Sequence, residues 1–128
     1  MLDDILEKST KYISESFNYD AIILLPDDKN NLEVVSRFGT VKDFDEHEKG
    51  VATWVFEHGK SAGFSTETLS SSKWFHLPLE FKNGILGVLS VATDTNIDRE
   101  QRHLIEAFAS VISLSLSNST QERVDKIN

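Results

Sequence analysis

The stretch Lys73–Thr93, KWFHLPLEFKNGILGVLSVAT, decides the fold of this 128-residue chain. Alternating and apolar runs flank Lys82-Asn83-Gly84. Asn-Gly supplies the positive φ values that a tight hairpin turn requires, so the stretch predicts two antiparallel strands. On the first strand Phe75, Leu77, Leu79 and Phe81 share one face, and Trp74, His76, Pro78 and Glu80 take the other. On the second, Ile85, Leu89 and Val91 oppose Leu86, Val88 and Ala92, which makes both faces apolar. A strand of that kind is covered on both sides. The expected cover is helical on one face and a more irregular layer, with room to enclose a ligand, on the other.

Outward towards the N-terminus, Ser61–Ser65 reads as a short strand and Thr66–Ser72, TETLSSS, as a polar connection. Val51, Trp54, Val55 and His58 stand at i, i+3, i+4 and i+7, which predicts a short helix opening around Gly50 and stopped by Gly59. Gly59-Lys60-Ser61 is no phosphate loop. Trp54 occupies the position of the required first glycine, and Gly59 follows a helix instead of preceding one. Phe38–Lys49 loses period and gathers Asp43, Asp45, Glu46 and Glu48; the spacing fits no calcium loop, and the run reads as acidic and solvated. Leu32–Arg37 reads as an edge strand with Leu32, Val34 and Ser36 on one face, after the Pro26–Asn31 turn. Ala21–Leu25 is a short strand, apolar on both faces. Leu2, Ile5, Leu6, Ser9, Ile13 and Phe17 give an amphipathic first helix that Asn18-Tyr19-Asp20 ends.

Outward towards the C-terminus, Asp98 and Gln101 form a capping box with Ile97 placed as a staple. Leu104, Ile105, Phe108, Val111, Ile112 and Leu116 then make a broad helical stripe. Residues 1–117 read as one domain, and 118–128 as a helix extending away from it. Val124 and Ile127 keep the helical spacing towards a partner helix or a downstream module. The fold class is α+β, with a central antiparallel sheet of five to six strands and the terminal helices on one face.

Composition excludes several functions. A net charge of −8 with no basic run opposes nucleic acid and anionic membrane surfaces. The longest apolar run, Ala21–Leu25, is too short to span a bilayer, and the acidic N-terminus is no signal peptide. The chain has no cysteine, which removes disulfides, thiolate catalysis, cysteine metal sites and thioether-linked pigments. No metal or cofactor is expected. His47 and His103 have no pattern around them, and Asn118-Ser119-Thr120 would accept a sugar only in a secreted protein.

The element order, Gly50-Val51-Ala52 opening a helix that Gly59 closes, and Leu77-Pro78-Leu79 followed by Gly84-Ile85-Leu86-Gly87-Val88-Leu89 resemble the GAF domain, a PAS-like fold. A narrower series, Ala52-Thr53-Trp54-Val55-Phe56-Glu57-His58, Ala62-Gly63, Thr66-Glu67-Thr68-Leu69 and Leu77-Pro78-Leu79, resembles the GAF domain of Kdp-type potassium-responsive sensor histidine kinases. The resemblance implies a cytoplasmic, non-catalytic sensory module in an inner-membrane two-component kinase regulating potassium uptake. The kinase module would lie downstream, because this chain carries neither a phosphoacceptor histidine motif nor a nucleotide-binding glycine box.

Seven residues are candidates for ligand binding, each beside a structural alternative. Trp54 stacks on a planar ligand or belongs to the core. His58 bonds an effector or is structural. Thr66 and Thr68, where GAF domains close their pocket, bind or cap a turn. Trp74 and His76 line a cavity or pack under the terminal helices, and Phe64 joins Trp54, Thr66 and Trp74 around the expected cavity. The functional expectations are a sensory and dimerisation module whose terminal helices pair with a second copy, or a spacer with a self-filled pocket that relays helix movement. A GAF-type enzyme reducing methionine sulfoxide is disfavoured, since that chemistry needs cysteine thiolates.

Overall fold

The computed structural model describes residues 2–39 and 44–127, with side chains described as far as Asn118. Helix α1 (Leu2–Phe17) leads into strands β1 (Asp20–Pro26) and β2 (Leu32–Phe38). Helix α2 (Glu46–His58), strands β3 (Ala62–Gly63), β4 (Phe75–Phe81) and β5 (Gly84–Ala92), and helix α3 (Arg99–Ile127) complete the chain. The strands form one sheet in the order β2-β1-β5-β4-β3, each neighbour antiparallel. Strand β5 lies at its centre, and its two apolar faces bury into two separate layers.

One layer lies under the terminal helices. Leu6 and Ile13 of α1 and Ile105, Ala109, Ile112 and Leu116 of α3 cluster with Ile23, Phe75, Leu77, Leu79, Leu89 and Val91. The other layer lies under α2, where Val51, Ala52 and Val55 meet Ile22, Leu24, Leu32, Trp74 and Val88. Each fully buried side chain of this size stabilises the fold by about 1.5–3 kcal/mol relative to exposure. The sheet is therefore held from both sides.

The hairpin turn forms where expected but with its positive φ values one residue earlier. Lys82 (φ 47°) and Asn83 (φ 67°) are the two left-handed residues, and Gly84 already pairs with Phe81 as the first residue of β5. That is the geometry of a two-residue hairpin loop with both central residues left-handed. At α3, Asp98 N–H donates to Gln101 Oε1 (3.0 Å) and Gln101 N–H donates to Asp98 Oδ1 (2.8 Å). The capping box is complete, and Ile97 is buried beside it.

Two bulges redistribute side chains that strict alternation would have placed otherwise. The β1–β2 register shifts between Ile23 and Leu24, opposite Ser36 and Val34, so Val35 is the extra residue. Leu32 consequently packs in the α2 layer, while Ser36 on the other side of the bulge donates to Leu6 O of α1 (3.1 Å) and stands 2.9 Å from Thr10 Oγ1. The β4–β5 register shifts between Leu79 and Glu80, leaving Leu86 extra. Leu86 therefore joins the terminal-helix layer with Leu89, and Ile85 comes beside Gly59 at the end of α2. A bulge inserts one residue, and one residue inverts the facing of the strand beyond it.

Helix α2 begins earlier than its apolar spacing indicates. Asp45 caps it, accepting from Glu48 N–H at 3.0 Å, so Gly50 is an interior position. The acidic run is thus not a solvated loop: Asp45 is a cap and Glu48 is buried, while Asp43 lies outside the described residues. Gly59 closes the helix in the left-handed region (φ 68°), its N–H donating to Val55 O.

Two glycine substitutions test this register. A Cβ on Gly87 would stand 2.6 Å from Leu25 Cδ2 and closer still to Leu24 O, so Gly87→Ala is expected to cost about 3 kcal/mol in urea denaturation. A Cβ on Gly50 meets nothing. Gly50→Ala is expected to stabilise by about 0.5–1 kcal/mol, as for a glycine inside a helix; no gain would place Gly50 outside α2.

Candidate functional site

The α2 face of the sheet buries a carboxylate. Glu48 is the third residue of α2, where a glutamate commonly turns back to the cap's N–H. Here its side chain crosses to the segment entering β4 instead. Oε2 accepts Lys73 N–H (3.0 Å), and Oε1 accepts from Ser72 Oγ and lies 3.0 Å from His76 Nε2. Ser72 Oγ also accepts Trp74 N–H at 3.2 Å. On its other side, His76 Nδ1 lies 2.6 Å from Ser90 Oγ of β5. Glu48, Ser72, His76 and Ser90 are all buried, and the rings of Phe44 and Trp74 meet edge to face alongside (5.1 Å).

The protonation states follow from these partners. Burial raises the Glu48 pKa, but hydrogen bonds from His76, Ser72 and the Lys73 backbone together carry it below the ordinary carboxylate value. Burial lowers the His76 pKa and outweighs the attraction of Glu48, with His47 pushing in the same direction as burial. An ionised carboxylate only accepts, so Nε2 carries the imidazole proton, and Nδ1 accepts from the Ser90 hydroxyl. The result is one buried negative charge held by three donors. Ser90, His76 and Glu48 have the order of a nucleophile, a base and an orienting carboxylate, but Ser90 Oγ has no path to solvent along which a substrate would reach it.

Beside this network an open cleft of about 690 Å³ is lined by Asn18, Asp20, Phe64, Ser70, Ser71, Ser72, Lys73, Trp74, Ala92, Thr93 and Asp94. Ser72 and Trp74 belong to both. The cleft is hydroxyl-rich, and among the described residues no group of three or more His, Asp or Glu side chains is placed to hold a metal ion.

The family model described as GAF domain matches residues 1–118. The chain belongs to the GAF domain family. It is 29% identical over 108 residues, 80% of its length, to the sensor protein KdpD of Clostridium acetobutylicum, and 28% identical over 121 residues, 91% of its length, to that of Escherichia coli. It spans only 12% and 13% of those two curated relatives. The crystal structure of the GAF domain of the E. coli potassium sensor histidine kinase KdpD superposes with a TM-score of 0.84 at 26% identity, covering 98% of this chain and 87% of that one.

The seven candidate residues of this GAF domain do not converge. Trp54 and His58 stack one turn apart on α2 (4.3 Å between rings), with His58 Nδ1 2.8 Å from Trp54 O; His58 is exposed and does not end a buried stripe. Phe64 packs against the terminal-helix layer, whereas Trp54 packs against the α2 layer, so the two do not bound one cavity. Phe64 and Trp74 share the open cleft instead. Thr66 Oγ1 lies 2.7 Å from Gly63 O and accepts Thr68 N–H at 3.2 Å, a turn-capping arrangement. Thr66 and Thr68 line a separate depression with Ser61, Ser65, Glu67 and Arg102. Trp74 and His76 are buried under α2 and not under the terminal helices, and Trp74 also lines the open cleft.

Spacing along the chain did not single out Glu48, Ser72 or Ser90. Glu48 and His76 are 28 positions apart, and no local pattern couples them. One signal was nevertheless present: Asp45-Glu46-His47-Glu48 before an apolar run is a helix-start pattern. Glu48→Ala leaves the buried His76 N–H and the part-buried Lys73 N–H without their acceptor, and turns the Ser72 hydroxyl to Trp74 O at 3.0 Å. It is expected to cost about 3 kcal/mol of unfolding free energy; a loss under 1 kcal/mol in urea denaturation would mean that the carboxylate is solvated.

Proposed function

We propose that this chain is a non-catalytic sensory and signal-transmitting domain of a two-component sensor histidine kinase regulating potassium uptake, acting as a cytoplasmic dimer upstream of a kinase module. The observation that carries the reading is the likeness to the KdpD GAF domain over 98% of the chain. Both terminal helices lie on one face, and α3 continues to Ile127, beyond Leu116, the last residue it buries against the domain among those with described side chains. A helix leaving a domain in this way is suited to carry a displacement into a neighbouring module. The last turns of α3, residues 118–127, are that lever in this proposal.

The dimer surface in this reading is the outer side of the same helices. Tyr12, Leu104, Val111 and Leu114 are large apolar residues between 49% and 61% exposed. A groove of about 260 Å³ between α1 and α3 is lined by Tyr12, Ile13, Phe108, Val111 and Ile112. In a twofold dimer this same surface of each copy would face that of the other. Among the described residues no helix is long and apolar enough to cross a membrane, so membrane attachment in this proposal belongs to other parts of the kinase.

A second reading, a spacer whose pocket is filled by its own side chains, is favoured by the packing of Trp74 against Phe44 beneath α2. Ligand binding in the open cleft and simple relay then differ in one measurable way. A small molecule held at a hundred times its Kd stabilises the fold by about 2.7 kcal/mol, so a thermal-shift series with cyclic nucleotides, cyclic dinucleotides and potassium salts separates a sensor from a relay that responds to none.

The dimer is tested by sedimentation. The chain is expected to associate at high concentration, and Val111→Asp with Leu104→Asp to weaken association at least about tenfold, since each buries a charge in an apolar contact. A strict monomer at the highest attainable concentration would remove dimerisation from the proposal.

A further inference from the structure

We propose that the Glu48–His76 contact is an acid-released latch on α2, in which uptake of one proton by His76 favours a state with α2 lifted from the sheet. The latch is confined to one element. Glu48 ties α2 to the polar groups of Ser72, Lys73 and His76, and among the described residues the rest of α2's hold is apolar, through Val51, Ala52 and Val55 with Trp54 and Phe56 packed beside them. The terminal helices grip the opposite face through a separate layer.

In the closed state an imidazolium at His76 has no water on any side. Its second proton, on Nδ1, would face Ser90 Oγ at 2.6 Å. The serine hydroxyl would then have to reverse and give up its own donation. Phe44 covers the ring (6.0 Å between centroids), and β3, paired to His76 through Ala62, brings no charge. From α2, Glu48 attracts the imidazolium and His47 opposes it. Lys73 presents its backbone N–H to Glu48 and its side chain to solvent. Burial outweighs the carboxylate's attraction and keeps the His76 pKa below its ordinary 6.5 when α2 is closed.

Linkage gives the sign. A group whose pKa is lowered in the closed state takes up a proton on opening. Closure is therefore fully stabilised above pH 6.5 and weakens as pH falls below it towards the lowered value. One proton per opening corresponds to about a tenfold rise in the opening constant for each pH unit in that interval. Opening exposes Trp74 and the α2 layer while the terminal-helix layer stays packed.

Amide hydrogen exchange of the whole chain at a series of pH values, corrected for intrinsic exchange, tests the latch. The α2 amides are expected to open about tenfold more per unit below pH 6.5, with β1 and β5 amides unchanged, and His76→Gln is expected to abolish the slope. An NMR titration of the His76 ring in the unaltered chain supplies the second readout: its protonation should track α2 opening. The proposal is overturned if α2 exchange has no such slope, if sheet amides lose protection together with α2, if the slope survives His76→Gln, or if the His76 ring stays neutral while α2 opens.

Discussion

A carboxylate removed from water must find donors for its oxygens, and the α2 side of this domain is built around meeting that demand for Glu48. Three donors converge on it: the Lys73 N–H, the Ser72 hydroxyl and the His76 Nε2–H. An unpaired charge at that depth would be prohibitively costly, and two of the donors are themselves fixed by another contact. Ser72 is held by Trp74 N–H, and His76 by Ser90. The demand thus sets how the polar connection enters β4 and which way the imidazole is turned, while the Asp45 cap sets where α2 starts.

The two layers of the domain differ in kind. Under the terminal helices the contact is broad and mainly apolar, with α1 and α3 touching each other and the sheet and only neutral hydrogen bonds joining Ser36 to Leu6 O and Thr10 among the described residues. Under α2 the apolar contact is smaller and a polar network shares the space. A non-directional hydrophobic layer tolerates small sliding of its helices, whereas a hydrogen-bonded charge tolerates only its own geometry. In the function proposed above, the terminal helices are accordingly the part that carries movement, and α2 the part held by a directional contact.

Much of this was legible in the amino-acid sequence because it rests on short-range regularity. The hairpin, the amphipathic α1 and the Asp98–Gln101 cap are each specified within a few residues, and Leu6 and Phe108 meet on one side of the sheet as their stripes imply. The parts that were not legible came from single-residue insertions and distant partners. Val35 and Leu86 are bulged residues, and strict alternation misassigns the facing of Ser36, Ile85 and Leu86. Glu48 looked like one more acid in a polar loop because its donors lie about 25 residues away along the chain. Trp74 and His76 were correctly placed on one face, but alternation does not say which helix covers it.

The arrangement makes a definite statement about one proton. The ¹⁵N chemical shifts of the His76 ring at neutral pH report it directly: the account predicts a neutral imidazole with its proton on Nε2 and Nδ1 acting as an acceptor from Ser90. An imidazolium protonated on both nitrogens, or a neutral ring with its proton on Nδ1, would contradict it.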